Sequence, residues 1–245
     1  MKKENFLAIR KDLKIISDLV KPNSRVLDIG CGDGELLQYL RDNKNADGRG
    51  IEMAQALVSK AMIRGLSVIH GDAENDLGYY PDHSFDYAIL SQVIQATHKP
   101  DEVLREMLRV AKYAIISLPN FAHIKNRYHL MFKGTMPVNK TIPYQWYETP
   151  NIHFCSIKDF ENFCKKLNFT IEEKIFLNGK YHFKNICNNR YFANLFAEYG
   201  IFVIVKNEYL PNAEVEFSLN KEILFGERAI PFPAFNYPFV AKQNE

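Results

Sequence analysis

The chain has 245 residues, 47% of them hydrophobic and 24% charged, with 31 Lys and Arg set against 29 Asp and Glu. That length buries a full core, and the composition is that of a globular protein rather than a disordered one. A formal charge of +2 carries no electrostatic signature of nucleic acid or an anionic membrane as partner, and no apolar run reaches membrane-spanning length.

Cys31, Cys155, Cys164 and Cys187 are widely spaced, without a C-x-x-C or a neighbouring His pattern. That predicts free thiols in a reducing compartment and no metal site. Glu4, Arg10, Lys11 and Asp12 stand where a signal peptide would need an apolar stretch, so the expected location is cytoplasmic.

Phe6, Ile9, Leu13, Ile16 and Leu19 recur at helical spacing and predict an amphipathic helix over the first twenty residues, broken by Pro22-Asn23-Ser24. A strand follows at Arg25–Ile29, then a helix over Gly34–Arg41 with Leu36, Leu37 and Leu40 facing the core. The second strand ends around Gly50-Ile51-Glu52, a helix covers Ala54–Arg64, and Ser67–His70 is the third strand. Phe85–Leu90 reads as a buried fourth strand, Pro100–Val110 as a helix and Tyr113–Leu118 as the fifth strand. Thr170–Leu177 and Ile201–Lys206 complete seven strands, separated by an aromatic, basic insert from Lys180 to Phe196. The alternation predicts a doubly wound α/β fold, with a mostly parallel seven-stranded sheet and helices on both faces.

Two stretches break the alternation. Asn120 to Cys155 holds Pro137, Pro143, Pro150 and the sole Trp146, and reads as a lid or acceptor loop within a domain spanning 1–206. Lys125, Arg127 and Lys133, with Tyr128 and Phe132 between them, are either a solvated helix face or a docking surface for an acidic patch. Ser156-Ile157-Lys158-Asp159 then opens a helix through Lys166 in the manner of a capping box. Residues 207–245 carry four of the eleven prolines among many aromatics, and form a carboxy-terminal extension expected to pack on the domain or on a partner.

The densest signal is Val26-Leu-Asp-Ile-Gly-Cys-Gly-Asp-Gly34, an apolar strand running into glycines at alternate positions. Gly30, Gly32 and Gly34 permit turn dihedrals and close approach to a ligand, beneath the free N–H groups of the following helix. Acidic residues then mark successive strand ends, where ligands of open parallel sheets bind. Glu52 lies 22 residues after Gly30, the distance at which a carboxylate takes ribose hydroxyls. Asp72, in Gly71-Asp72-Ala73, either accepts from an adenine amino group or simply closes a turn. The glycines read G-x-G-x-G rather than the dinucleotide G-x-G-x-x-G, and Asp28 would repel a pyrophosphate. Asp28 suits a ligand with positive charge, such as the ammonium of S-adenosylmethionine (SAM), and makes a nicotinamide cofactor the weaker alternative.

Asp28 to Gly34, Glu52, Gly71-Asp72 and Phe85-Asp86 together resemble the class I SAM-dependent methyltransferases. Leu90-Ser-Gln-Val-Ile-Gln-Ala-Thr97, Pro100 to Val110, Pro143-Tyr-Gln-Trp-Tyr147, Asn151 to Cys155 and Ile157 to Phe160 look more specifically like the methionine biosynthesis protein MetW family, over roughly Asn5 to Lys206. The resemblance implies SAM as cofactor, S-adenosylhomocysteine as product and a link to homoserine O-acyltransferase as partner. Cofactor contacts are expected from Asp28, Gly30, Cys31, Gly32, Gly34, Glu52, Met53, Gly71, Asp72, Ala73, Ser91 and Gln92. Candidates for the acceptor pocket are Gln95, Asn120, Tyr144, Trp146 and Tyr147. The three aromatics either form a wall favouring the sulfonium charge or fill the core beneath the loop.

Two functions remain open at this point. One is methyl transfer to a small molecule, in which aligning donor and acceptor supplies much of the rate. The other is a non-catalytic SAM-sensing subunit of homoserine O-acyltransferase. His98, His123, His129 and His153 stand in no recognisable acid–base pair. Pro119-Asn120-Phe121 is no substitute for the Asn-Pro-Pro-Tyr type of motif that holds planar amino acceptors, so methylation of DNA adenine or of protein amides is disfavoured.

Overall fold

The computed structural model describes residues 9–179, 181–184 and 190–207, all within one unit that ends at Glu208. An amino-terminal helix α1 (Lys11–Leu19) precedes β1 (Arg25–Ile29), α2 (Glu35–Lys44), β2 (Asp47–Glu52), α3 (Gln55–Ile63) and β3 (Ser67–His70). A short α4 (Ala73–Asp76) leads to β4 (Phe85–Ser91), α5 (Pro100–Val110) and β5 (Ala111–Pro119). The remainder comprises α6 (Ile124–Lys133), α7 (Ile157–Lys166), β6 (Phe169–Asn178), β7 (Tyr181–Lys184), α8 (Arg190–Phe196) and β8 (Tyr199–Lys206). Residues 1–8, where the first helix was expected to begin, Lys180 and residues 185–189 of the insert, Cys187 among them, and the extension from 208 onward lie outside the described residues.

Alternation along the strands sorts the core into two layers, since successive side chains leave a strand on opposite faces. Leu27 and Ile29 of β1, Ala88 and Leu90 of β4 and Phe202 and Ile204 of β8 pack with α5 and α7. Val26, Ile89, Ile115, Ile201 and Val203 pack on the other face with Leu13 and Ile16 of α1 and Leu36 and Leu40 of α2. Both faces are therefore covered, which explains why β4 and β5 are apolar almost throughout.

The helices begin where their sequences dictate. Pro100 opens α5 with Asp101 and Glu102 in its first turn, next to the positive end of the helix dipole. Ser156 and Asp159 form a complete capping box at α7, each side chain satisfying the other residue's backbone N–H.

The sheet order is β3-β2-β1-β4-β5-β8-β6-β7. The first five strands are parallel, β8 is antiparallel to both β5 and β6, and β6 and β7 form a hairpin. All seven expected strands are present. The eighth, β7, arises inside the insert that the sequence analysis left without structure; four residues are too short for a period to show. β1 pairs with β2 on one side and β4 on the other, so the connections diverge there and leave a crevice above the strand ends.

Residues 120–155, expected as a lid or acceptor loop, contain a helix whose bounds the sequence did not announce. Ten of them form α6, and the rest runs as irregular chain fastened at both ends. Phe121 N–H donates to Cys155 O at 3.1 Å, and the N–H groups of Ile152 and His153 donate to Gln95 O at 2.8 and 2.9 Å.

Candidate functional site

The ends of β1, β2, β3 and β4 enclose a cleft of about 250 Å³. Ile29, Ile51, Ala73, Val93 and Ala96 supply apolar walls, and Glu52, Asp72, Glu74, Thr97 and His98 bring polar groups to it. Of the expected cofactor residues, Gly30, Glu52, Met53, Gly71, Asp72 and Ala73 line this cleft directly.

The turn after β1 is built as its glycines require. Gly30, Gly32 and Gly34 have φ of 70°, 59° and 81°. At Gly30 a Cβ would lie 2.6 Å from Val93 Cγ2, so both dihedral and space exclude a side chain. Nothing stands within 4 Å of a Cβ placed on Gly32, and that backbone is open to a ligand. Gly34 closes the turn by donating to Cys31 O at 3.0 Å and caps α2. The Cys31 side chain points away into a small core with Leu37, Val58, Ala61 and Val68, where burial and the nearby Asp28 push its thiol far up. It serves as packing.

Glu52 is doubly engaged. Its Oε2 accepts from Gly32 N–H at 2.8 Å and its Oε1 from Ala54 N–H at 2.8 Å. Each carboxylate oxygen retains acceptor capacity. Asp72 caps α4: Oδ1 accepts from Glu74 N–H at 3.0 Å and Oδ2 from Asn75 Nδ2 at 2.9 Å. The turn-closing role weighed for this residue is thus present in a residue that also faces the cleft.

Asp28 is 3% exposed and lies on the α1/α2 side of the sheet below the turn. No hydrogen bond reaches its carboxyl among the described residues. Burial, then the neighbouring Glu52 carboxylate, push it up to about 7, opposed by the attraction of Arg10.

Arg10 belongs to a polar link that sequence reasoning missed. Its guanidinium grips Asp12 through Nε at 3.1 Å and Nη2 at 2.7 Å, and Gln92 Nε2 donates to Asp12 Oδ2 at 2.9 Å. The Arg10 N–H reaches Glu35 Oε1 at 3.3 Å. The start of α1 is thereby tied to the first turn of α2 and to the end of β4. A contact across eighty positions leaves no local pattern to read.

Gln92 takes φ of 58°, unusual for a residue with a side chain, and its N–H donates to Ser117 O at 2.9 Å. Ser91 is bound to Ser117 through their hydroxyls at 3.1 Å. Gln95 is buried, donates from Nε2 to Gln92 O at 2.6 Å, and leaves its Oε1 without a partner.

The other acceptor-pocket candidates are placed elsewhere. Asn120 is buried with every polar group used: Nδ2 donates to Asn194 O at 2.9 Å and Ala197 O at 2.8 Å, and Oδ1 accepts from Ala122 N–H at 3.1 Å. It pins the end of β5 to α8. Tyr144, Trp146 and Tyr147 are 47%, 69% and 66% exposed, so they fill no core and line no part of the cleft.

His98, read above without an acid–base partner, has one. Glu74 accepts from the His98 and Lys99 N–H groups, and the His98 ring lies 3.4 Å from Glu74 Oε2, both residues lining the cleft. His123 instead caps α6 by accepting from Lys125 N–H at 3.2 Å. No cluster able to hold a metal ion occurs among the described residues, and no described helix is long and apolar enough to cross a membrane.

Comparison with known proteins decides the family. Residues 10–204 match the model of "Methionine biosynthesis protein MetW". The chain belongs to the MetW family. It is 36% identical over 179 residues to the bifunctional methionine biosynthesis protein MetXA/MetW of Rhodopirellula baltica, an alignment covering 69% of this chain and 29% of that protein. It is 32% identical over 146 residues to a demethylmenaquinone methyltransferase of Bacillus mycoides, covering 54% of this chain and 60% of the other. The MetW-family chain thus spans less than two thirds of either relative. A solved SAM-dependent methyltransferase from Thermotoga maritima, described as a possible histamine N-methyltransferase, superimposes with a TM-score of 0.59 at 20% identity, covering 80% of this chain and 87% of that one. That likeness shows the fold: a class I SAM-methyltransferase architecture.

Proposed function

We propose that this MetW-family chain binds SAM in the cleft above β1–β4 and acts in methionine biosynthesis as a SAM-binding partner of a homoserine O-acyltransferase. One observation carries the cofactor reading: the cleft brings the glycine backbone at Gly30 together with the acidic side chains of Glu52 and Asp72 and with apolar walls. Glu52 has lone pairs left for a ribose diol, the apolar walls suit the faces of a purine, and Asp28, when ionised beneath the turn, would attract an ammonium group through its charge rather than by contact. SAM, when bound, supplies a methyl group on a sulfonium centre.

The partner reading draws on the Rhodopirellula relative, whose name joins MetXA to MetW in one chain. It also fits the polar pair in the cleft, since Glu74, two residues from Asp72, holds His98 of the β4–α5 connection on the side of the cleft read here as the purine's. If SAM alters affinity for the acyltransferase, the acyltransferase must alter affinity for SAM by the same factor.

Methyl transfer to a small acceptor is the second reading. The demethylmenaquinone methyltransferase among the relatives supports it.

Calorimetry with S-adenosylhomocysteine, with and without a purified homoserine O-acyltransferase, tests both. The expected result is binding of the nucleoside, a shift of its affinity when the acyltransferase is present, and no binding of NADH. Absence of nucleoside binding overturns the cofactor reading. Multiple turnover of SAM to S-adenosylhomocysteine with a defined acceptor, without any response to the acyltransferase, selects the second reading.

A further inference from the structure

Helix α6 carries Ile124, Tyr128, Met131 and Phe132 at i, i+4, i+7 and i+8, which places all four on one face. A helix in a folded domain normally turns such a stripe inward. Here these residues are 39%, 63%, 71% and 65% exposed, and the buried residue of α6 is Asn126, on the opposite side. Asn126 is fastened by polar bonds: Nδ2 donates to Phe121 O at 3.1 Å, and Oδ1 accepts from Asn139 Nδ2 at 2.7 Å. The helix is therefore held by its polar side and presents its apolar side outward. The rings of Tyr128 and Phe132 already touch, with centroids 4.4 Å apart.

The following segment continues the pattern. Of the 19 large apolar side chains exposed among the described residues, 12 fall between Ile124 and Phe154. At about 200 Å² per large side chain, half of it accessible, the twelve sum to roughly 1,200 Å² distributed along α6 and the segment after it. A standard protein interface takes about 800 Å² from each partner. Lys125 and Arg127 flank the stripe on α6, Lys125 in an ion pair with Glu198 at 3.6 Å, and the rest of the stretch adds Lys133 and Lys140 against the single acid Glu148.

We propose that this face, α6 with the Tyr144–Tyr147 turn, is the surface on which the acyltransferase docks, through an apolar patch of its own rimmed with acidic residues. The inference rests on the partner reading above and adds where the partner sits. The Rhodopirellula relative argues for this occupant: it carries MetXA in the same molecule as a portion 36% identical to this chain, so the two proteins are held together permanently there.

The test uses the full chain and a combined Tyr128→Gln, Met131→Gln, Phe132→Gln variant, with Trp146→Ser as a second variant. None of these side chains lines the cleft, and each is exposed. Affinity for a purified homoserine O-acyltransferase is read by biolayer interferometry, affinity for S-adenosylhomocysteine by calorimetry, self-association by light scattering, and lipid binding by flotation with phosphatidylglycerol vesicles. The expected result is a loss of acyltransferase affinity of at least 100-fold in the triple variant and at least tenfold in Trp146→Ser, with nucleoside affinity within twofold of the parent. Acyltransferase binding within threefold of the parent in both variants overturns the assignment. So does a homodimer, or vesicle binding, of the parent that the triple variant abolishes. A parent chain that does not bind the acyltransferase at all removes the partner reading itself, a different outcome from a parent that binds through another surface.

Discussion

Glu52 accepts the Gly32 N–H at 2.8 Å, so the end of β2 holds the middle of the glycine-rich turn that follows β1. The same carboxylate secures the entry to α3 through Ala54 N–H. One residue thus shapes the cleft and, under the proposed function, contacts the ribose. Glu52→Ala deletes charged hydrogen bonds worth about 1.5–3 kcal/mol each. Affinity for S-adenosylhomocysteine should fall at least about tenfold by calorimetry, with Glu52→Gln in between. Unchanged affinity in the alanine variant removes the ribose assignment.

Asp28 gives a pH signature whose sign is fixed by its surroundings. Its folded-state pKa is raised from 3.8 to about 7 by burial and by Glu52. The folded protein therefore keeps a proton that the unfolded chain releases across this window. Stability should decline as pH rises from about 4 to about 7 and level off above it. A cationic ligand needs the ionised form, so SAM affinity should rise through the same window. Thermal melts and titrations against pH read both effects, and Asp28→Asn should flatten both.

Asn120 should matter for stability rather than for ligand binding. Asn120→Ala bares the Asn194 and Ala197 carbonyls, each costing about 1–3 kcal/mol when buried without a partner. Urea unfolding should register a loss of about 3 kcal/mol, with nucleoside affinity nearly unchanged. A variant of full stability that had lost ligand binding would return Asn120 to the acceptor pocket.

Gly30→Ala meets two obstacles, the positive φ and Val93 Cγ2 at 2.6 Å. The dihedral alone costs about 1–2 kcal/mol. Adding Val93→Ala removes the clash but not the strain, so the double variant should recover part of the lost melting temperature. A double variant no better than the single would show that Val93 is not the obstacle.

The parallel half of the fold was legible because β4 and β5 carry the apolar runs Tyr87–Leu90 and Tyr113–Ile116, because β1, β2 and β3 finish at Gly30, Glu52 and Gly71-Asp72, and because the capping box at Ser156 and Asp159 marked α7 directly. The acidic strand ends were legible for the same reason, although their present hydrogen bonds were not. Asp72 as a cap and Glu52 as a tie across the turn depend on neighbours brought by folding. The Arg10–Asp12–Gln92 link and the three bonds of Asn120 are long-range and leave no periodic trace. Tyr144, Trp146 and Tyr147 misled because aromatic residues are expected to bury themselves, and here the packing leaves them in solvent. α6 lies in a stretch whose prolines hide any long period, and the basic run around Tyr128 and Phe132 does not say which face looks inward.

β8 is the last of the described strands to be synthesised, yet it lies between β5 and β6 and carries Phe202, one of the largest fully buried side chains. As the chain leaves the ribosome, β1 to β5 can assemble early, but the rim of β5 stays bare until residue 206 has emerged. The β6–β7 hairpin waits beside it without its central neighbour. An unpaired strand rim invites attachment to other chains, so a nascent polypeptide stalled before Tyr199 is the species most exposed to aggregation and most in need of a chaperone.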